Sequence, residues 1–345
     1  EVRHLLPTAP EEKNGKKVAL IGAGPAALTV ANDLMPLGYS VTILEKLPRP
    51  GGLMRINIPA FRLPEEILDE EIAYITDMGV DVRYNSPVDS LGALLGSGEY
   101  DAVFVGSGAP KGKELEIPGR HETDQIFIGI EWLESIHFGH VESVGKRVLI
   151  IGVGNTAMDC CRSAKRLGAT EVKVIARKTR KYFKASPWEL EDAEEEQVEI
   201  LENLQPVRFV VENGKLTGME FEKFKSTEID GQLKQETIGR EIIPCDTVVL
   251  AIGQDNAFPW IERDMGIEFG KWDMPVVDKK TFMSSRPGIF FGGGAAFGAA
   301  KINWGGEHGH QAAISIHQYC QGLDVGDRPP HGMTLTRTKM GLHEW

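Results

Sequence analysis

Residues 17–45, KVALIGAGPAALTVANDLMPLGYSVTILE, decide the fold of this chain. The opening KVALI predicts a short buried strand, and the GAGPAA that follows has the spacing G-x-G-x-x-A. A helix is predicted from Pro25 to Leu37, where Gly38 ends it, and VTIL then predicts a second strand that Glu45 closes. This order of strand, glycine turn, helix and strand predicts a βαβ unit of a parallel sheet.

The turn contains residue types that a dinucleotide requires. Gly22 permits the tight change of direction from strand to helix, and Gly24 lets the backbone approach a pyrophosphate without an intervening Cβ. Ala27 allows the helix to pack closely on the strand, and the helix N-terminus stabilises the phosphate charge. Glu45 stands where a carboxylate accepts hydrogen bonds from ribose hydroxyls. The stretch therefore predicts a dinucleotide site.

The same pattern returns in residues 147–177, RVLIIGVGNTAMDCCRSAKRLGATEVKVIAR. A strand, a second G-x-G-x-x-A turn, a helix stopped by Gly168 and a strand closed by Arg177 follow one another in the same order. The repeat predicts an α/β protein with two Rossmann-like dinucleotide-binding domains. Three more strands are predicted to run into glycines, at 101–109, 246–253 and 288–294, and a last helix at about 305–320.

Composition, charge and cysteine spacing argue against several classes of function. A length of 345 residues is typical of two domains, and the net charge of −12 argues against a nucleic-acid binder. No apolar run approaches the length of a membrane span, and no signal-peptide pattern leads the chain. The four cysteines, Cys160, Cys161, Cys245 and Cys320, form no C-x-x-C pair. We therefore expect a cytoplasmic protein without dithiol chemistry and without an iron–sulfur cluster of its own.

Several stretches resemble one family of flavoproteins. Residues 25–27 (PAA), 51–54 (GGLM) and 58–64 (IPAFRLP) look like the FAD domain of the glutamate synthase small-subunit family, and residues 152–159 (GVGNTAMD) look like its second fingerprint. Relatives in that family include the flavoprotein modules of dihydropyrimidine dehydrogenase and of NADH-dependent ferredoxin:NADP oxidoreductase. The resemblance runs from about residue 16 to residue 320.

The resemblance implies that FAD binds at the first turn and NAD(P)(H) at the second. It implies a discontinuous FAD-binding domain, residues 1–118 and 254–345, into which an NAD(P)H-binding domain, residues 119–253, is inserted. The cofactor-binding candidates are Gly22, Ala23, Gly24, Pro25, Ala26, Ala27, Glu45, Lys46, Gly52, Leu53, Arg55, Ile58, Arg62, Val88, Gly106, Ser107, Gly108, Gly152, Gly154, Asn155, Thr156, Ala157, Arg177, Lys178, Ala251, Gly253, Gly293, Gly294, Ala300, Lys301 and Ile302.

Charge at the end of the second βαβ unit bears on nucleotide choice. Arg177 occupies the place that an acid has in the first unit, and a guanidinium can pair with a 2′-phosphate. This favours NADP(H), although a solvated basic surface stretch would look the same, so NAD(H) stays open. Asp159 is either part of this site or a helix residue satisfied by the local backbone.

The chain departs from the family pattern at three places. Asn57 replaces the glycine before Ile58, and Gly293-Gly294 replaces a Gly-Asp pair whose acid contacts FAD in the family. The loss of that acid predicts weaker or differently satisfied FAD binding. The family's N-terminal cysteine-rich iron–sulfur domain has no counterpart here, so electrons from the flavin are expected to reach a cluster on another chain or a diffusible acceptor.

Hydride transfer between nicotinamide and flavin needs no side-chain acid or base, so no catalytic residue and no metal site is predicted. His308 and His310 lie two residues apart, on different faces of a helix, which argues against metal ligation. Lys301 resembles a residue placed to stabilise negative charge on the flavin ring, although a surface lysine is the plain alternative.

The leading hypothesis is an FAD-dependent NAD(P)H oxidoreductase subunit that exchanges electrons with an iron–sulfur partner. Such a module would serve an aldehyde- or formate-oxidising or glutamate synthase-like complex. A free-standing flavin reductase and a non-catalytic nucleotide-binding scaffold are the alternatives. Residues 321–345 look like a tail that docks on a partner, with Leu342 and Trp345 as candidate anchors.

Overall fold

The computed structural model describes residues 6–229 and 232–328. Its strands, in chain order, are β1 (Lys17–Ile21), β2 (Ser40–Leu44), β3 (Asp81–Arg83), β4 (Ala102–Val105), β5 (Lys111–Gly112), β6 (Ile126–Ile128), β7 (Arg147–Ile151), β8 (Glu171–Ile175), β9 (Glu199–Leu201), β10 (Leu204–Glu212), β11 (Lys215–Ile229), β12 (Gln232–Pro244), β13 (Thr247–Leu250), β14 (Gln254–Asp255) and β15 (Ile289–Phe291). Its α-helices are α1 (Pro25–Leu34), α2 (Leu53–Ile56), α3 (Glu65–Thr76), α4 (Leu91–Gly96), α5 (Gly129–His137), α6 (Asn155–Arg166), α7 (Pro187–Glu195), α8 (Gly294–Phe297) and α9 (Ile302–Cys320). Within the described ranges, no helix combines the length and the apolar character that crossing a membrane requires.

The chain divides into two compact units, the first of which contains residues 6–55, 65–109 and 256–328. Its sheet has the strand order β15-β4-β1-β2-β3, and all neighbours run parallel. The strands β4 and β15 are buried along their whole length. Continuous apolar runs of this kind are typical of parallel sheets that are covered on both faces.

The second unit contains residues 56–64 and 110–255, apart from the undescribed 230–231. Its sheet has the order β6-β13-β7-β8-β9, again parallel, with the strand of the second glycine turn at its centre. A three-stranded antiparallel sheet, β10-β11-β12, lies between β9 and β13 in the sequence. The predicted α/β class and the two repeated βαβ units are confirmed.

Helix α9 begins at Ile302, earlier than the start at about residue 305 that the sequence predicts. The glycines that lower helix propensity there are used for packing against α1. A Cβ at Gly309 would lie 2.5 Å from the Ala26 oxygen and 2.7 Å from the Thr29 Cβ. Because no larger residue fits, close helix packing decides the residue at this position, and propensity does not.

The unit boundaries differ from the predicted division at 118/119 and 253/254. Residues 110–118 and 254–255 belong to the second unit, since β5 and β14 pair with each other there. Residues 56–64 also belong to the second unit, because their side chains find their partners in it. The tail anchors Leu342 and Trp345 lie outside the described residues.

Candidate functional site

The end of β4 shapes the first glycine turn. Gly22 has a φ of +92°, and a Cβ at this position would lie 2.9 Å from the carbonyl oxygen of Gly106. The N–H of Gly22 donates to the Leu44 oxygen at 2.8 Å, which ties the turn to β2. The backbone of the protein therefore excludes a side chain at position 22, whatever ligand is bound.

Gly24 has the opposite surroundings. It is the N-cap of α1, with an ordinary φ of −80°, and no side chain caps the helix. Of the described atoms, only the Gly106 oxygen would come within 4 Å of an added Cβ, at 3.8 Å. An uncapped helix N-terminus with space beside its backbone fits the pyrophosphate of a dinucleotide.

The carboxylate of Glu45 is buried beside this turn. One of its oxygens accepts the Ala23 N–H at 2.6 Å, and the other accepts the Leu47 N–H at 2.8 Å. Because β1 and β2 are parallel neighbours, the end of β2 brings Glu45 to the turn. Each carboxylate oxygen keeps a lone pair for a further donor, so hydrogen bonds to ribose hydroxyls stay compatible with this geometry.

The loop at 51–55 crosses the first turn. The N–H of Gly51 donates to the Ala23 oxygen at 2.9 Å, and a Cβ on Gly52 would lie 3.3 Å from the Gly24 Cα. Arg55 is buried, and its guanidinium binds Asp69 at 2.5 Å and Glu65 at 3.4 Å. This predicted cofactor residue therefore secures the loop, and its two acidic partners on α3 were not predicted from the sequence.

Glycines from β4 and β15 pack together at the same sheet edge. A Cβ on Gly294 would lie 3.0 Å from the Ala109 nitrogen and 3.3 Å from the Gly108 carbonyl carbon. An aspartate at position 294 would therefore require the 108–109 backbone to shift. The Oγ of Ser107 is buried and has no hydrogen-bond partner in the described part of the chain. An orphaned hydroxyl beside an uncapped helix fits a polar cofactor, and Ser107 is one of the predicted site residues.

An aromatic cluster lies where α8 and α9 meet, and the sequence patterns did not reveal it. The ring of His308 has its centroid 5.0 Å from that of Phe297 and 5.1 Å from that of Phe282. Burial lowers the pKa of His308 and thereby favours the neutral form of its ring. Lys301 is exposed at the N-cap of α9, and its role toward a flavin stays a prediction.

The second glycine turn repeats the contrast of the first. A Cβ on Gly152, whose φ is +122°, would lie 2.2 Å from the Ala251 oxygen. Nothing described lies within 4 Å of an added Cβ on Gly154, the uncapped N-cap of α6. Asn155 braces the turn, since its Oδ1 accepts the Ser186 N–H at 2.8 Å. This turn also fits a pyrophosphate.

In the basic stretch after β8, some cations are ion-paired and others have no acidic partner among the described residues. Arg180 pairs with Glu194, and Lys181 pairs with Glu228 at 2.7 Å. Arg177 is exposed, and its guanidinium has no hydrogen-bond or ion-pair partner within residues 6–229 and 232–328. Lys178 is exposed too, with its ammonium 5.4 Å from the centre of the Tyr182 ring. The stretch therefore presents two of its cations for an external anion.

The carboxylate of Asp159 is neither satisfied by the local backbone nor part of an open site. Its carboxylate accepts from the Arg62 guanidinium at 2.7 Å, and the same guanidinium binds Glu189 on α7. Both acids are nearly inaccessible to solvent, with Asp159 4% and Glu189 2% exposed. Burial raises the pKa of Asp159 to about 6, although Arg62 opposes that rise. Nothing in the sequence pattern paired these three residues.

Removing the charge of Asp159 changes how stability depends on pH. A carboxyl with a folded pKa of about 6, above its usual 3.8, stabilises the fold below pH 3.8 and loses that contribution as pH rises through 6. We therefore expect the unfolding free energy of the native chain, relative to Asp159→Asn, to fall between pH 4 and pH 7. Urea unfolding of both proteins at several pH values measures it. A difference that is constant or rises with pH would contradict this assignment.

The thiols of Cys160, Cys161 and Cys245 are buried, and that of Cys320 is half-buried. Burial raises the pKa of Cys161 and of Cys245 to about 12, and that of Cys320 to about 11. Cys160, which is fully buried, has its pKa raised well above the usual value. Cys160 and Cys161 pack in the apolar cluster of the second unit. In the described part of the chain, no group of three or more His, Cys, Asp or Glu residues is arranged to hold a metal ion.

The structure distributes the other predicted residues unevenly. Ile58 and Arg62 lie in the second unit, not in the unit of the first turn. Val88 packs against the apolar cluster that contains Leu91 and Phe258. The cofactor roles assigned to all of these residues stay predictions.

Comparison with known proteins gives a family match over most of the chain. The family model "Pyridine nucleotide-disulphide oxidoreductase" matches residues 16–317. The NADP(+)-dependent formate dehydrogenase subunit beta of Moorella thermoacetica is 39% identical over 315 residues, which are 89% of this chain and 44% of that protein. The glutamate synthase [NADPH] small chain of Azospirillum brasilense is 31% identical over 337 residues, 92% of this chain and 69% of that protein. The chain thus spans less than half of the first relative and about two thirds of the second.

Solved structures show the same fold. Mycobacterium tuberculosis FprA in complex with NADPH superposes with a TM-score of 0.74 at 17% identity, over 89% of this chain and 85% of that one. The predicted resemblance to the glutamate synthase small-subunit family is confirmed by the curated relatives, and the two-domain fold by the structural match.

Proposed function

From the premise that the chain belongs to the pyridine nucleotide-disulphide oxidoreductase family, we propose that it is an FAD-dependent NAD(P)H oxidoreductase subunit of a larger redox complex. The observation that carries the proposal is the pair of uncapped helix N-termini at Gly24 and Gly154. Each follows the central strand of a parallel sheet, and each has space beside its N-cap backbone. Both turns therefore offer an anion site of the kind that dinucleotides use.

The roles of the residues follow from their positions. FAD, when bound, exchanges a hydride with the nicotinamide and passes its electrons on singly. The first turn binds the FAD pyrophosphate, Glu45 accepts from the adenosine ribose, and Ser107 gives its unpartnered hydroxyl to the cofactor. The second turn binds the nicotinamide dinucleotide. No protein acid or base is needed, since the transferred hydride brings its own electron pair.

The cation at the end of β8 favours NADP(H) as the nicotinamide dinucleotide. Among the described residues Arg177 has no acidic partner, while its neighbours Arg180 and Lys181 are paired. Arg177, with the exposed Lys178 beside it, is therefore left for a 2′-phosphate. The Moorella and Azospirillum relatives carry NADP(+) or NADPH in their names. NAD(H) is the alternative that the exposed position of Arg177 leaves open.

We expect Arg177→Ala to raise the KM for NADPH about tenfold and the KM for NADH less than twofold, because a charge-assisted pair contributes about 1.5 kcal/mol or more. Steady-state kinetics with both nucleotides measures the effect, and Lys181→Ala, which removes a cation already paired with Glu228, is the matched control. Equal changes for NADPH and NADH would show that Arg177 is a solvated surface residue that does not bind the 2′-phosphate.

The electron partner is proposed to be an iron–sulfur protein. The Moorella and Azospirillum relatives are a "subunit beta" and a "small chain" by name, and the described residues contain no group of three or more His, Cys, Asp or Glu that could hold a metal ion. Iron–sulfur clusters need several cysteine ligands arranged around them. We therefore place the cluster that receives or delivers electrons outside these 345 residues, within a formate-oxidising, aldehyde-oxidising or glutamate synthase-like complex. The unpaired thiols also favour a reducing, cytoplasmic location.

Anaerobic spectroscopy on the purified native chain tests this function. We expect a flavin spectrum, bleaching of it by NADPH, and reoxidation by an added bacterial ferredoxin. Bleaching without electron transfer to ferredoxin, but with rapid turnover on free flavin or dyes, would favour the free-standing reductase. A chain that carries no flavin under native purification would refute the proposal and favour the scaffold.

A further inference from the structure

Residues 56–64, INIPAFRLP, form a segment that we name the strap. The chain leaves the first unit after Arg55, runs through nine residues that belong to the second unit, and returns to the first unit at Glu65. The strap begins directly after the loop at 51–55, which crosses the first glycine turn. It therefore connects the proposed flavin loop covalently to the unit that contains the second turn.

An ion-pair cluster closes the base of the strap. Arg55, the last residue before it, binds Glu65, the first residue after it, at 3.4 Å. Arg55 also binds Asp69 at 2.5 Å and the Pro50 oxygen at 2.6 Å, and its side chain is only 2% exposed. Both ends of the strap are thus held at one point in the first unit, so the excursion between them is a defined loop and not a loose linker.

The strap itself is fastened to three helices of the second unit. Asn57 donates to the Ile130 oxygen at the start of α5, at 2.5 Å. The ring of Phe61 lies under the guanidinium of Arg166 on α6, 3.8 Å from the ring centre. Arg62 binds Asp159 on α6 and Glu189 on α7. Every attachment uses a side chain of the strap, and each reaches a different part of the helical layer.

Of the three attachments, the one through Arg62 is an ion pair with buried carboxylates. Two buried carboxylates share this one cation, and the nearest other cation, Arg162, lies 3.8 Å from Glu189 and is itself bound to Asp192 and Glu196. The Oε2 of Glu189 is buried with no hydrogen-bond partner among the described residues. Buried carboxylates that lose their cation destabilise a protein strongly, so releasing the strap is costly and its position is well specified.

Releasing the strap is costly, and the strap directly follows the loop at 51–55. This attachment therefore indicates a role beyond packing. Hydride transfer requires the donor and acceptor atoms to meet at about 3–3.5 Å, and a misplacement of about 1 Å can slow a reaction about 100-fold. We propose that Arg62, clamped by Asp159 and Glu189, is a positioning residue that holds the strap, and with it the end of the adjoining loop at 51–55, in place during flavin reduction by NADPH. The inference rests on the proposed function, and it replaces the predicted role of Arg62 as a direct cofactor ligand.

The test compares Arg62→Gln, Arg62→Lys and a control, Arg120→Gln, which breaks an equally well-formed pair with Glu114 elsewhere in the second unit. Four quantities are measured on the native chain: flavin content, the Kd for NADP+, the rate of flavin reduction by NADPH, and hydrogen exchange of peptides covering 56–64. For Arg62→Gln we expect hydrogen exchange in the strap to become at least about tenfold faster and flavin reduction by NADPH to become at least about tenfold slower. Flavin content and Kd are expected to change less than twofold, and Arg62→Lys to recover part of the rate.

Arg62→Gln leaves two buried carboxylates without their cation, so the neutral triple variant Arg62→Met, Asp159→Asn, Glu189→Gln is measured beside it. Faster strap exchange with an unchanged reduction rate would show that the clamp is merely structural, and unchanged exchange would show that it is no clamp. Loss of flavin in the triple variant would mean that Arg62 binds the cofactor directly. If the unmodified chain carries flavin that NADPH does not reduce, the proposed function fails, and the inference fails with it.

Discussion

We expect Gly24→Val to give a folded chain that contains almost no flavin. The position has a φ of −80°, which valine adopts, and among the described atoms an added Cβ would approach only the Gly106 oxygen, at 3.8 Å. The branched side chain instead fills the space that the pyrophosphate would occupy beside the α1 N-terminus. Two hydrogen bonds to a charged group contribute about 3–6 kcal/mol, so flavin content should fall at least about 100-fold.

Flavin absorbance per chain after native purification measures this, and circular dichroism checks the fold. Gly96→Val is the matched control, because Gly96 lies in the same unit with no described atom within 4 Å of its Cβ position. Gly22→Val is the contrasting variant, expected to misfold because the Gly106 oxygen would lie 2.9 Å from its Cβ. A Gly24→Val protein that purifies fully yellow would disprove the first site.

Gly154→Val separates the second site from the first. No described atom lies within 4 Å of a Cβ at position 154, so the chain should fold and keep its full complement of flavin. The valine would displace the nucleotide pyrophosphate from the α6 N-terminus. By the same two charged hydrogen bonds, the rate of flavin reduction by NADPH at fixed concentration should fall at least about 100-fold.

Dithionite, which needs no nucleotide site, should still reduce the flavin of Gly154→Val at the normal rate. Stopped-flow spectroscopy with each reductant gives the comparison. Unchanged reduction by NADPH would place the nicotinamide site elsewhere, and loss of flavin from this variant would contradict the assignment of FAD to the first turn alone.

For the glycine turns and the strands beside them, the sequence alone predicted the local structure correctly. The helix α1, its 3-10 extension Met35–Leu37 and the stop at Gly38 follow the prediction, and so do β7 and the end of α6 near Gly168. These features depend on local backbone requirements, namely a positive φ, a short buried strand or a helix end, and each is written in consecutive residues.

Partners that are distant in sequence were not predictable in the same way. Asp192, Glu194 and Glu196 all pair with arginines while remaining accessible to solvent, and their spacing in the sequence does not indicate these partners. Arg62 and Glu189 are 127 positions apart in the sequence, so no local pattern reveals their ion pair. Which charges are satisfied depends on how helices pack, and no periodicity records it.

By itself, the sequence determined that this is an α/β protein with two dinucleotide turns, because glycine spacing and strand length are local steric requirements. Only the tertiary structure decided which glycines are excluded by protein backbone and which leave room for a ligand, as with Gly22 and Gly24. It also decided that residues 56–64 belong to the second unit, and that an acid at position 294 would require the 108–109 backbone to shift. These outcomes depend on distances between segments far apart in the chain, and only the folded backbone sets those distances.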